Sequence, residues 1–583
     1  ISKFSDSERS ADLFKLCSDY IPVILPDIVM VSGDITDAKL QNRAGSMQFS
    51  EEWTVYNDII RRSGVLNYTK WLDMRGNHDA FNVPSPEHAE NYFRHYSVQG
   101  RNFPQSYMIN HRKPYGTYTF VGLDACPSPG SKRPLNFFGV ITTDLAQMLE
   151  VFSSKASASN QTFWFGHYPT STIISPGFDL RGLMSKTTFA YFCGHLHTLR
   201  NAVPYMYALQ PEGFFELELA DWRDARFFRV VAVDNDLVSF LDVPMTGVDS
   251  EDWPLVLITN PKDAGFLLPN KEPTDLIQHS THIRVLAWSK WPLKKIAISI
   301  DGHYQGDAQP ASNPSPAVTV RSSPLFVLPW QPSYWAAQEP PAPESTHFIE
   351  AVCEDTKGNV RRVRQPFTLD GIPRWNFRGL QSFVLHSDHT TNLRLAFYLL
   401  WALPICVLGF GRLYGNSRFY GRISRDWRLL AELRELTQLD ALFYSLACYQ
   451  LYVLCGPIFM GSIVDSHFGI VFVFGLFVSN TFLPESFTYV FEIFQQCPLI
   501  YALIYVLARR VGEVKLHPPA TRFCHLKISS LVLLIVWSAF QLAYCVLTVL
   551  LPYGWFTCLL SPGRLWLLPL AWALFIIAAR RLK

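Results

Sequence analysis

Between residues 392 and 577 the chain carries a succession of long apolar runs, and this limits its possible folds more than any other feature. Runs fall at 393–410, 442–460, 468–483, 489–508, 528–551 and 565–579. Crossing a hydrocarbon core takes about 20 mainly apolar residues. The third and sixth runs are short, and the fourth carries Glu492, Gln495 and Gln496. Polar side chains at that depth face a helical bundle or water rather than lipid. Residues before about 381 alternate polar and apolar like an ordinary water-soluble protein, so a large aqueous part precedes a multi-span membrane part. Charged residues are 17% of the chain, and Lys+Arg 51 against Asp+Glu 49 leaves no net basic field for nucleic acid. The chain is too apolar to stay disordered.

Basic residues give the membrane part a direction. Arg412, Arg418, Arg422, Arg425, Arg428 and Arg434 follow the first run, and Arg509, Arg510, Lys515, Arg522 and Lys527 crowd a later loop. The positive-inside rule puts both loops in the cytosol. Three crossings between them break that rule and two satisfy it, so either the third or the fourth run is re-entrant or interfacial, or the rule fails here. The C-terminal Arg580, Arg581 and Lys583 are then cytosolic, and the part before the first run is lumenal or extracellular. Two sequons, Asn67-Tyr68-Thr69 and Asn160-Gln161-Thr162, are compatible with that side and with a glycoprotein.

The aqueous part divides by pattern. Residues 1–245 alternate helices and strands, and 246–385 hold short, regularly spaced strands with turns, which predicts an immunoglobulin-like β-sandwich. Residues 386–583 form the helical membrane domain with 5–6 hydrophobic segments. In the first part the sequence predicts helices over 6–20 and 51–62, and strands over 27–31, 70–74, 117–123, 162–165 and 187–193. The strand-rich stretch 214–243 reads as the far side of that sheet. Further strands are expected over 283–287, 295–300, 317–320, 346–353 and 360–364. The cysteines, 11 in all, contain no Cys-x-x-Cys pair, so neither a disulfide framework nor a structural zinc site is expected.

Several strands of the first part end in residues able to bind metal. These are Gly33-Asp34-Ile35-Thr36-Asp37, Gly76-Asn77-His78-Asp79, Gly166-His167 and Gly194-His195-Leu196-His197. A histidine after a glycine is alone a weak signal, but four such loops in this order, each at a strand end, are specific. A carboxylate can bridge two cations while an amide oxygen and imidazoles complete the shells, a donor set suited to Mn, Fe or Zn. Two such ions can clamp a phosphate ester. Asp124, Cys193, Asp301-Gly302 and Asp370-Gly371 read instead as turn or core residues.

Over residues 1–245 these motifs resemble the calcineurin-like metallophosphoesterase superfamily, whose fold is a β-sandwich flanked by helices. The resemblance implies that Asp34 bridges the metals, that Asn77, His167 and His195 complete one site, and that His197 belongs to the other. It implies that His78 contacts phosphate and serves as a general acid, oriented by Asp79. The leading Asp-x-His of that pattern, which supplies two ligands to the second metal, is absent, because Ser2-Lys3-Phe4 runs directly into the first helix. It is expected upstream of Ile1. Two divalent ions are thus expected in the complete protein and at most one in this chain, which alone is expected to be inactive. A phosphate ester and the lipid bilayer are the expected partners. Three classes of function compete: a membrane-anchored phosphoesterase, an inactive scaffold or binding protein that keeps the fold, and a transporter with an accessory domain.

Overall fold

The structure is a computed structural model that describes residues 3, 6–41, 44–311, 323–337, 346–484, 486–515 and 529–580, of which residues 423–426 and 580 are described by backbone alone. The strand expected over 317–320 lies outside the described residues, as do Arg522, Lys527, Arg581 and Lys583.

The first helix, Ser7–Lys15, continues through a π turn, Leu16–Tyr20, into Ile21–Ile24, burying Leu13, Cys17, Tyr20 and Ile21. Leu25 closes it in the left-handed region at φ 52, before Pro26. Next come the parallel pair Ile28–Val31 and Lys70–Asp73 and, between them in sequence, the helix Ser50–Arg62. Its Trp53, Tyr56 and Ile60 recur at helical spacing and are fully buried.

Below this pair lies a six-stranded sheet, in the order Tyr107–Lys113, Gly116–Leu123, Gln161–Gly166, Thr188–Cys193, Phe215–Glu218, Met206–Leu209. Its four inner strands are mutually parallel and its two edge strands antiparallel. Phe215–Glu218 is therefore an interior strand, which corrects the reading of 214–243 as the sheet's far side. Its sequence alternates apolar and polar residues like a half-exposed strand, yet both of its faces are buried. The rest of that stretch is the hairpin Phe227–Asp234 and Leu237–Pro244. Phe163, Phe165, Phe192, Phe215 and Leu217 of the sheet pack against Leu72 of the parallel pair and Val238 of the hairpin. The upper layer is thus two separate strand pairs. Ile28–Val31 is paired on one side only, and a cavity of about 940 Å³ runs beside it, lined by both pairs and floored by Phe163, Phe165 and Phe192.

Beyond Met245, two four-stranded sheets face each other, Leu255–Asn260, His282–Trp288, Leu325–Pro329 and Gln309–Pro310 against His303–Asp307, Leu293–Ile300, His347–Asp355 and Val360–Phe367. Ile283, Val285, Ile296, Ile298, Ile349 and Ala351 fill the space between them. Trp253 stacks on Tyr20 at 5.1 Å and ties the sandwich to the first domain.

The helical part contains three helices long and apolar enough to cross a bilayer, His389–Tyr414, Phe487–Lys515 and Ser530–Leu559. Asp440–Cys455 and Leu567–Arg580 complete the bundle. The run at 468–483 is not a helix. It belongs to a four-stranded meander, Phe459–Val464, His467–Phe472, Gly475–Val478 and Thr481–Pro484. Apolar content marked this segment, but its period is two: Val471, Leu476 and Val478 are buried against the bundle while Phe468, Phe477 and Phe482 face outward. Ser466, Ser479 and Asn480, at positive φ, make its turns. Two helices, rather than three crossings, therefore separate the arginine-bearing loops.

The polar residues of the fourth run face inward. Glu492 forms a buried ion pair with Arg564, whose Nη1 also donates to Gln496 Oε1 at 3.2 Å. Gln496 donates in turn to the Tyr449 hydroxyl at 2.7 Å.

Candidate metal centre

Backbone geometry prepares the site before any side chain is considered. The inner strands of the sheet and both strands of the parallel pair present their C-terminal ends on one side, where α/β sheets build sites. Gly33 sits at φ +94, and a Cβ there would approach Gly76 N to 2.6 Å. These two loops therefore touch only because both positions are glycine. Asp34, His195 and His197 adopt positive φ, at 52°, 84° and 55°. Such conformations are costly for residues with side chains and concentrate at functional sites.

Three buried acids hold these loops. Asp79 accepts hydrogen bonds from the backbone N–H of Ile35, Thr36 and Gly76 at 3.0, 2.9 and 2.8 Å, and from the Thr36 hydroxyl at 2.9 Å. Its carboxylate is thus occupied in joining the Asp34 and Asn77 loops, and it makes no hydrogen bond to the His78 ring that it was expected to orient. Glu216 accepts from Thr170 N and Oγ1, both at 2.7 Å, and so fixes the turn after His167. Glu218 accepts from His197 N at 2.5 Å. Burial raises the pKa of both glutamates. Asp124 is structural, as its residue type and position suggested, and forms a buried pair with Arg75 at 2.7 Å.

Four of the expected ligands come together around one atom. His167 Nε2 lies 3.0 Å from Asn77 Oδ1, 3.1 Å from His195 Nδ1 and 3.3 Å from Asp34 Oδ1. The other ring nitrogen, Nδ1, stands 3.1 Å from the Ser32 carbonyl, a group that only accepts, so Nδ1 carries the proton. Burial pushes the His167 pKa down to about 4, so the ring is neutral near pH 7 and Nε2 presents a bare lone pair. Two of the three atoms facing it are oxygens with no proton to offer at that pH. Ligands at about 2.0–2.2 Å from a cation stand about 3 Å apart when they are at right angles, the spacing seen here. Among the described residues, no three His, Cys, Asp or Glu side chains form a metal shell by themselves, and this cluster includes an amide oxygen.

His78 lies beside the cluster, with Nε2 3.7 Å from Asp34 Oδ2, its ring 5.0 Å from that of Phe81 and its pKa pushed well down by burial. His197 lines the same cavity but hydrogen-bonds through its ring to none of the four, and its buried Nδ1 has no hydrogen-bond partner among the described residues. Loss of hydration raises Asp34 to about 6, and burial together with the Asp34 charge raises Asp79 to about 6.

Three groups at the site were given no role by the sequence reading. Asp37 joins Lys3 at 3.1 Å and Lys39 at 3.4 Å, and its carboxylate lies 4.0 Å from His78 Nδ1. Lys39 and Arg133 line the cavity, and burial lowers the pKa of both. Phe137 packs on His195 with ring centroids 4.5 Å apart. The Gly-Asp-x-x-Asp spacing could have marked Asp37. Arg133 and Phe137 sit in a loop without a motif and only tertiary structure brings them here.

Residues 250–373 match the family described as TMEM62 Ig-like domain. The chain is 36% identical over 575 residues, 97% of its own length and 85% of the relative's, to Transmembrane protein 62 of Mus musculus. It is 25% identical over 524 residues, 78% of this chain and 69% of the relative, to an Arabidopsis thaliana protein named "Putative metallophosphoesterase At3g03305".

Proposed function

The chain belongs to the transmembrane protein 62 family, and from that premise we propose that it is a membrane-anchored, metal-dependent hydrolase of phosphate mono- or diesters. The observation that carries this reading is the convergence of Asp34 Oδ1, Asn77 Oδ1 and His195 Nδ1 on the unprotonated Nε2 of His167. A cation satisfies all these electron pairs at once. The backbone carbonyl behind the histidine is the usual outer support of a metal-binding imidazole.

Asp34, Asn77, His167 and His195 would hold one divalent Mn, Fe or Zn ion. Such an ion supplies Lewis-acid polarisation of a phosphoryl group and neutralises charge that develops there. The remaining side chains do the rest. His78, beside Asp34, would contact the phosphate, and it would act as general acid in its protonated form. Lys39 and Arg133 place positive charge on the cavity wall where a phosphate would lie. Phe137 covers His195 and excludes water from one side.

Metal analysis tests the cation site. Purified chain is expected to hold one tightly bound divalent ion, lost in Asn77→Ala and His195→Ala. Activity is tested on the full-length protein with aryl phosphate mono- and diesters, where chelator should abolish turnover. His78→Ala should lower it by roughly 10²–10⁴-fold, as for loss of an acid–base group. Inactivity of metal-loaded full-length protein on a broad panel of esters would favour the scaffold.

A further inference from the structure

The wall of the metal cavity is built partly by the membrane helices. Phe137, whose ring covers His195, has its ring centroid 5.2 Å from that of Phe487, the first residue of the Phe487–Lys515 helix. Phe487 itself lines the cavity. Leu393, in the first turns of His389–Tyr414, packs beside it against a cluster of Phe138, Val140 and Ile174. The site is thus not carried on a linker above the membrane part but rests directly on the ends of two membrane helices.

A second cavity lies on the other side of Arg133 and Pro134. It measures about 160 Å³ and is completed by Ala44, Phe491, Leu547, Thr548 and Pro552. Arg133 and Pro134 line both cavities. The crevice lies between Phe487–Lys515 and Ser530–Leu559, at the π turn Val546–Leu550, where the widened helix leaves a groove. Among the described residues, its lining combines Arg133 with apolar and hydroxyl side chains. Leu547, at 58% exposure, places its outer end on the surface that a bilayer would cover.

A ligand that meets both cavities would bring a phosphate to the Arg133 wall and to a cation held by the His167 cluster, and a hydrocarbon chain to the crevice. We propose that the phosphate ester taken by this site is borne on a membrane lipid, with its head between Arg133 and His195 and an acyl chain beside Phe491 and Leu547. The ester part of this statement rests on the hydrolase reading. The lipid-binding part rests on the cation but not on hydrolysis, since the apolar crevice and its continuity with the membrane helices carry it.

The test uses the full-length protein in nanodiscs with phosphatidic acid bearing a photoreactive group in its acyl chain, and peptide mapping of the label. Label should concentrate about tenfold in segments 487–491 and 546–552 over other lipid-facing helix segments. Unlabelled phosphatidic acid should compete and inorganic phosphate should not. Thr548→Trp, which fills the crevice, should remove the enrichment. Arg133→Gln should erase the preference for phosphatidic acid over phosphatidylcholine, a second readout should Thr548→Trp not fold. Label spread evenly over the bundle, or competition by inorganic phosphate as good as by the lipid, overturns the proposal. A parallel assay on an aryl phosphate separates the two claims. Crevice labelling without hydrolysis of any ester removes the hydrolase and leaves the lipid site, whereas aryl phosphate hydrolysis without crevice labelling does the reverse.

Discussion

Asp465 and Asn82, separated by 383 positions in the chain, bind each other reciprocally: Asp465 N donates to Asn82 Oδ1 at 2.7 Å, and Asn82 Nδ2 donates back to the carboxylate. Asp465 also pairs with Lys132, next to Arg133. One turn of the meander therefore grips the loops on both sides of the metal cavity.

Asp465→Ala is expected to loosen this grip without unfolding either part. Because the Asp465 side chain is half exposed, the loss should be about 1–2 kcal/mol. A double-mutant cycle with Asn82→Ala should show coupling of similar size by thermal unfolding in detergent, and amide exchange in 459–484 should quicken. Strictly additive effects would mean that the pair carries no energy.

Asp79→Asn should be far more damaging than His78→Ala. The Asp79 carboxylate receives four hydrogen bonds, and an amide would turn N–H groups toward some of those donors. A cost of about 3 kcal/mol or more is expected, with loss of bound metal. His78→Ala should keep both the melting temperature and the ion. Equal stability of the two variants would remove the clamp role of Asp79.

Asp73 gives a pH dependence of unusual sign. Burial raises its pKa to about 6, although Val98 N, Gln99 N and the Tyr56 hydroxyl donate to it. An unfolded aspartate titrates near 3.9. Between these values the folded state holds a proton that the unfolded state has released, so this contribution is complete below about 3.9 and lost as pH rises through about 6. Asp73→Asn should remove about 2–3 kcal/mol of that slope from melting curves taken between those pH values. An unchanged slope would show that Asp73 is ionised throughout.

Inside the bundle, Glu492→Ala leaves Arg564 buried without its carboxylate. Breaking such a pair costs about 3–5 kcal/mol, whereas replacing both partners by apolar groups is much milder. The Glu492→Ala protein should therefore melt early in detergent, and Glu492→Leu with Arg564→Met should recover most of the loss. A double variant as unstable as the single one would contradict this.

Both aqueous domains are expected on the lumenal or outer side. An epitope near Ser250 should resist protease in sealed microsomes until detergent is added. Any glycan should appear first at exposed Asn67, because Asn160 Oδ1 accepts from Thr117 N and its Nδ2 donates to Asp236, each at 3.0 Å. Digestion of the epitope in intact microsomes would reverse the assignment.

The site was legible to the extent that it lies at strand ends. Asp34, Asn77, His167 and His195 each follow a strand closed by glycine, and local sequence carries both the strand and the break. What holds those loops was not legible, because Glu216 and Glu218 alternate with Phe215 and Leu217 like the outer face of a half-exposed strand, and their partners come from other segments. The meander at 459–484 was misread because composition alone cannot separate a one-sided sheet lying on a bundle from a short span. Its serine and asparagine turns were the available signal, and Phe468, Val471, Leu476 and Phe477 already alternated at the period of a strand.

The docking of Phe137 on Phe487 also fixes an altitude. With no flexible stalk between the cavity and the first turns of the membrane helices, the chemistry would happen at one height above one bilayer. Such a protein would present its cavity at a constant distance from the leaflet in which it is planted, whatever the tilt of the helices below it.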